Sequence, residues 1–306
     1  MKIIKNIGWP LLAVSILINI YYIFKPSESF LSSYPYLSKR IFQADPNDIL
    51  INFTALRTDL KKYILEPKLK IARYFEYLPT GVSIGINEKE DLELASLLKV
   101  PLVMAVYKQV SEGKLSFDQP LILKKEYLNQ KWGNLWQRGE GGKVTVEEAV
   151  KLALIESDNT AKQLLLATVG VPALTEVFDE LDIPKQASDQ DIILNVKNYS
   201  TIFKSLHFSS YLKKEDSEKI LDYLTQSKFD EGIVSGVGQG IKIAHKIGVF
   251  ENKEGKTDVI SDCGIIYVPL RPYLLCIMEQ KTENALAQKH MKELSRIVYN
   301  FVSSYK

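Results

Sequence analysis

Ser96 and Lys99, in Ala95-Ser96-Leu97-Leu98-Lys99, stand three positions apart. On a helix that spacing puts a hydroxyl and an amine on one face and within hydrogen-bond reach, the arrangement of an activated nucleophile. Taken alone, the pattern is equally that of an N-cap serine followed by a solvated lysine. Two further polar clusters follow: Glu156-Ser157-Asp158-Asn159-Thr160 after a helix, and His245-Lys246-Ile247-Gly248 before Val249 in an expected strand. Other chemistry finds less support. His207, His245 and His290 are scattered and no Cys/His pair has ligand spacing, so no metal is expected, and no cofactor. The glycines at 232, 236, 238 and 240 lack a strand-to-helix phosphate unit and read as a loop. Cys263 and Cys276 fall on two successive expected strands, where a bridge and two buried thiols are both open.

The elements that must position these residues follow from periodicity. Phe53, Leu56, Leu60 and Ile64 recur at steps of three and four, a helical pattern. Ile71 to Leu78, the turn Pro79-Thr80-Gly81 and Val82 to Asn87 read as a β-hairpin. Helices are expected over 96–111, 146–155, 160–169, 172–181, 196–207 and 214–224, the second opened by a Thr145-x-x-Glu148 capping box. Strand character returns over 241–250, 258–268 and 273–279. A last helix covers 283–305, with Leu294, Ile297, Val298, Phe301, Val302 and Tyr305 on one stripe. Strands at both ends with helices between them predict an α+β fold. Its antiparallel sheet is flanked by terminal helices and carries an all-helical insertion. Trp132 and Trp136 are expected to pack the surface of that lobe, with the cleft mouth as the alternative.

The chain has 306 residues, 46% hydrophobic and 25% charged, with a net charge of +2. That excludes a disordered chain, a collagen-like repeat and a multispan membrane protein. No basic stripe suggests nucleic acid. One uncharged run, Ile7 to Phe24, is long enough to nearly span a hydrocarbon core. Lys2 and Lys5 precede it, and Trp9, Tyr21 and Tyr22 sit near its ends. With no small-x-small cleavage site after it, residues 1–25 are expected to be an uncleaved anchor, a cleaved signal being the alternative. The following chain would be extracytoplasmic. Residues 26–49, rich in Ser, Pro and Tyr, read as a tether, and 50–306 as one domain with two lobes. A monomer is expected.

Taken together, the three clusters resemble the Ser-x-x-Lys, Ser-Asp-Asn and Lys-Thr-Gly set of the class A β-lactamases and penicillin-binding proteins. The resemblance runs from about Leu50 to the C-terminus. It includes Lys99-Val100-Pro101-Leu102, Ser157-Asp158-Asn159-Thr160-Ala161 and Gly264-Ile265-Ile266. It implies a five-stranded antiparallel sheet with the helical lobe inserted between strands 2 and 3. It further implies that Ser96 is acylated, with Lys99 accepting its proton. Ser157 would relay a proton to the leaving nitrogen, Asn159 would hold the substrate amide, and Lys246 would supply positive potential beside Ser157 and the substrate carboxylate. Gly248 and Val249 would line the substrate, the backbone N–H groups of Ser96 and Val249 forming the oxyanion hole. The implied substrate is a β-lactam or a D-alanyl peptide.

Two departures bear on that substrate. Ile247 occupies the position where the pattern has a threonine or serine hydroxyl, and it has no hydrogen to donate to a carboxylate. His245 is the alternative donor, although strand alternation turns it away. The family's Glu-x-x-Leu-Asn motif, whose glutamate activates the deacylating water, is also missing. Asp191-x-x-Leu194-Asn195 copies it with the shorter acid, the other reading of Asp191 being a loop or helix-cap residue. A β-lactamase, a slowly deacylating D-alanyl-D-alanine peptidase-like enzyme and a non-catalytic wall-binding module are the three expectations.

Overall fold

The computed structural model describes residues 34–36, 52–63, 70–184, 186–187, 192–251, 254 and 256–304. The expected anchor at 1–25, nearly all of the tether and the candidate acid Asp191 lie outside the described residues. Helix α1 (Thr54–Lys62) turns Leu56 and Leu60 inward at a four-residue step. Strands β1 (Lys70–Tyr77) and β2 (Val82–Ile86) form the expected hairpin. Gly81 closes it at φ 74°, where a missing Cβ removes the steric cost. After β3 (Asp91–Glu93), a 3-10 turn (Ala95–Leu98) leads directly into α2 (Lys99–Ser111). The lobe continues through β4 (Pro120–Ile122), β5 (Lys143–Thr145), α3 (Val146–Ile155), α4 (Asn159–Glu180), β6 (Gln186–Ala187), β7 (Ile192–Asn195), α5 (Val196–His207) and α6 (Lys214–Thr225). Strands β8 (Ile243–Glu251), β9 (Thr257–Ile266) and β10 (Tyr273–Gln280) precede the last helix, α7 (Asn284–Ser304).

Five strands form one antiparallel sheet in the order β2-β1-β10-β9-β8. This is the expected α+β architecture, with the lobe entering between the second strand and the third. Residues of β1, β9 and β10 are buried almost end to end. A sheet covered on both faces reads as continuous apolar runs rather than as alternation. On one face the terminal helices bring Phe53, Leu56, Met291, Leu294 and Val298 against Phe75, Tyr77 and Leu275. Cys263 and Cys276 sit opposite each other in the β9/β10 register and are joined as a disulfide, which resolves the alternative left open by the sequence.

The inserted lobe is not wholly helical. Two small sheets, β3-β7-β6 and β4-β5, stitch its loops together. Strands of two to four residues are too short to show a period, so the sequence conceals them. The two helices expected over 160–181 form one stretch broken at Gly170 (φ 83°, ψ 155°), ahead of Pro172. Only half of the capping box forms. Thr145 accepts from the Glu148 backbone at 3.2 Å, while the Glu148 carboxylate turns outward to Arg138.

Candidate active site

Ser96 sits on the 3-10 turn, and Lys99 opens α2 one turn later, so their spacing carries them together as the sequence predicts. Lys99 Nζ lies 2.7 Å from Ser96 Oγ. The turn is held from beneath by Tyr199 of α5, whose hydroxyl donates to the Leu97 carbonyl at 2.8 Å. Ser157 joins from the loop before α4, in a left-handed conformation (φ 57°) that non-glycine residues adopt at a cost. That turn offers the same lysine two oxygens, the Ser157 carbonyl at 2.6 Å and its Oγ at 3.0 Å. Asn159 Oδ1 adds a fourth oxygen at 2.8 Å.

Between Ser157 and Asn159, Asp158 points the other way. Fully buried, it caps α4 by accepting from the Ala161 N–H at 2.8 Å and staples the preceding loop through the Leu135 N–H at 2.9 Å. Gly133 (φ 80°) passes so close to this carboxylate that any Cβ would collide with it. Sequence reasoning placed Asp158 inside a motif, and the structure makes it the residue that holds the motif in shape.

Lys246 reaches the site from β8. Its Nζ lies 2.8 Å from Ser157 Oγ and 5.6 Å from the centre of the Phe229 ring. The Ser157 hydroxyl thus bridges two lysines that are both fully buried. Gly248 lets β8 come this close: a Cβ there would lie 2.7 Å from the Leu94 carbonyl oxygen and 2.6 Å from Ser261 Oγ. Its bareness places Val249 beside Ser96 in the cleft wall. Gly248→Ala is therefore expected to cost about 1–3 kcal/mol by overpacking, measured as a drop in the urea midpoint at unchanged slope.

Two ammonium groups cannot share one buried hydroxyl at ease. Burial, followed by the charges of Lys246 and Lys162, pulls the Lys99 amine well below its ordinary value, with Asp158 opposing. Burial also pushes Lys246 down to about 7, against the pull of Asp262. Lys99 faces four oxygens with at most three protons. As a neutral amine it donates two, and its lone pair accepts from a serine hydroxyl. The geometry therefore suits an amine acting as a base toward Ser96.

The depressed Lys246 value also predicts a stability profile. Its folded value lies below the unfolded one, so between pH 7 and about 10 the unfolded chain binds more protons and rising pH favours the folded form. The difference in urea midpoint between wild type and Lys246→Met is expected to grow in the wild type's favour across pH 7 to 9, below the tyrosine range.

Ile247 lines a pit of roughly 10 Å³ with Ser96, Trp132, Ser157 and Val249. His245 does not replace the missing hydroxyl. Its ring is buried with Nδ1 2.9 Å from Asp262 Oδ1 and Nε2 3.1 Å from the Phe229 carbonyl oxygen, on the side of β8 away from the cleft. Strand alternation, which argued against that role, decides it. Leu194 is buried, and Asn195 caps α5 by accepting from the Asn198 N–H at 2.9 Å, with its amide donating to Asp91. Trp132 lines the cleft and packs 5.8 Å from Phe229, while Trp136 lies outside it, so only Trp132 takes the cleft-mouth alternative. Asn129, Lys131, Lys162 and Glu251 complete the open part of the cleft, roughly 440 Å³. The sequence reading passed over these four, whose one signal is the position of Lys162 a turn beyond Asn159. Among the described residues no group of three or more His, Cys, Asp or Glu could hold a metal.

Comparison with known proteins places the fold and the family. PBP-A, a solved structure, superposes with a TM-score of 0.76 at 21% identity, covering 82% of this chain and 97% of that one. The TLA-1 extended-spectrum β-lactamase gives 0.74 at 19%, covering 81% and 98%. In sequence, the extended-spectrum β-lactamase PER-1 of Pseudomonas aeruginosa is 24% identical over 257 residues, 75% of this chain and 83% of the relative. β-Lactamase VEB-1 of the same organism is 24% identical over 252 residues, 72% and 84%. The model of the β-lactamase enzyme family matches residues 55–302, and the chain, a serine hydrolase, belongs to that family.

Proposed function

We propose that this protein opens a β-lactam amide through an acyl-enzyme on Ser96. The observation that carries the reading is the contact of 2.7 Å between Ser96 Oγ and a fully buried Lys99 whose amine is held well below its ordinary value. Neutral Lys99 takes the Ser96 proton as Oγ attacks the carbonyl carbon. The backbone N–H groups of Ser96 and Val249 stabilise the oxyanion, which is the largest single contribution in such chemistry. The proton then passes from Lys99 to Ser157 Oγ, 3.0 Å away, and on to the leaving nitrogen, with Lys246 Nζ 2.8 Å from the same oxygen. Asn159 holds the amide on the acyl side, and Lys246 attracts the carboxylate on the other. A solved relative, a PBP-A variant, is described as an acyl-enzyme complex with penicillin G, which supports the same step here.

Deacylation is the slow half of the cycle in this reading. Among the described residues lining the cleft, the one carboxylate is Glu251, and it is engaged by Lys131. A D-alanyl peptidase-like enzyme with a long-lived adduct is the second reading that this observation favours, with Asp191 as the remaining candidate for a water-activating acid. We place residues 1–25 in the cell membrane as an anchor, with the domain outside, on the strength of the uncharged run and its lysine flank. Intact mass against time with benzylpenicillin, followed by peptide mapping, tests the chemistry. An adduct on the peptide carrying Ser96 is expected, persisting for minutes or longer. An adduct elsewhere, or none from folded protein, would sink the proposal.

A further inference from the structure

The cleft carries an excess of positive charge on the flank opposite β8. Lys162 stands three residues beyond Asn159 on α4, so the two share a face. Both line the open part of the cleft with Ser96 and Asn129. Every other charged side chain there is engaged. Lys131 and Glu251 bridge the mouth as an ion pair, while Lys99 and Lys246 are engaged by Ser96, Ser157 and Asn159. Lys162 is half-buried, lines the cavity and meets no acceptor among the described residues. Its charge is felt at the base beside the nucleophile, being one of the causes that hold Lys99 down. On the β8 flank the reverse holds, because Ile247 leaves the substrate carboxylate without a hydroxyl donor.

An ammonium on a cleft wall with no partner among the described residues gains more from an anion bound in that cleft than one free in water does. We infer that Lys162 forms an anion subsite on the α4 flank. The protein therefore selects acyl donors with a carboxylate on the acyl side of the scissile amide, next to the group that Asn159 holds. This rests on the reading that Ser96 is acylated and that Asn159 faces the acyl amide. Recognition of a second carboxylate by α4 adds to the attraction that Lys246 supplies on the β8 flank and offsets part of the affinity that Ile247 removes.

Benzylpenicillin and carbenicillin test this directly, since they share ring system and phenyl group and differ by one carboxylate on the acyl side chain. The readout is the ratio of their second-order acylation rates, in which any effect of Lys162 on Lys99 common to both substrates cancels. Wild type is expected to favour carbenicillin. Lys162→Gln is expected to lower the ratio about tenfold, Lys162→Arg to retain most of it, and added salt to erode it in the wild type. A ratio in Lys162→Gln within twofold of wild type would overturn the subsite.

A second measurement does not depend on turnover. In the full chain carrying Ser96→Ala, tryptophan fluorescence reports reversible binding through Trp132. Carbenicillin is expected to bind about tenfold tighter than benzylpenicillin, and a further Lys162→Gln change to abolish the gap. Equal affinities in the Lys162 background would overturn the inference. Failure of both penicillins to acylate wild type would sink the acyl-enzyme reading alone and leave this binding gap to decide the subsite.

Discussion

Ser96→Ala is expected to abolish the covalent adduct with benzylpenicillin while leaving the fold intact. Removing the hydroxyl deletes the one atom that can form the acyl bond, so the loss is complete rather than graded. The fold should tolerate the change because Lys99 keeps three of its four oxygen contacts, two from Ser157 and one from Asn159. Ser96 also donates no bond on which the packing of the turn depends, since Tyr199 anchors that turn at the Leu97 carbonyl. Intact mass and a urea titration check both halves. A remaining adduct would mean that another residue is acylated. An unchanged cellular effect of the variant would favour the non-catalytic wall-binding module instead.

Lys99→Ala should be the next largest effect, a fall of about 10³-fold in the acylation rate, as expected for the loss of a positioned general base. The pH profile distinguishes this from a packing defect. Lys99 must be neutral to take the Ser96 proton, so the wild-type rate climbs with pH through a value well below the ordinary lysine range. Lys246 must be charged to attract the substrate carboxylate. Its amine, pushed down to about 7 in the free protein, imposes a decline as pH rises further. The second-order acylation rate is therefore bell-shaped. Lys99→Ala loses the rising limb, and Lys246→Arg moves the falling limb out of range, because a guanidinium stays charged. Stopped-flow acylation from pH 5 to 10 measures all three. A rising limb that survives in Lys99→Ala would assign the base elsewhere.

Much of the fold could be read from the residues in order. The hairpin of β1 and β2, the helices after Thr145 and Asn195, and the apolar stripe of α7 all express periods that local spacing sets by itself. The meeting of Ser96 and Lys99 belongs to the same class, since three residues along a helix is a local distance. The short strands of the lobe escaped because two to four residues carry no period.

What the sequence by itself determined is which groups exist and which neighbours along the chain share a face: Ser96 with Lys99, Asn159 with Lys162, and the absence of a donor at Ile247. Only the tertiary structure decided what those groups can do. The Ser157 hydroxyl bridges two lysines because α2, the loop before α4 and β8 converge there, and no spacing within one segment encodes that. Asp158 became a buried cap, His245 turned to Asp262, and Cys263 met Cys276 through strand register rather than proximity along the chain. The protonation of Lys99 and Lys246 was settled the same way. Desolvation and the charge of a neighbour move an amine's affinity for its proton, and both are properties of a packed site, created when distant segments exclude water together.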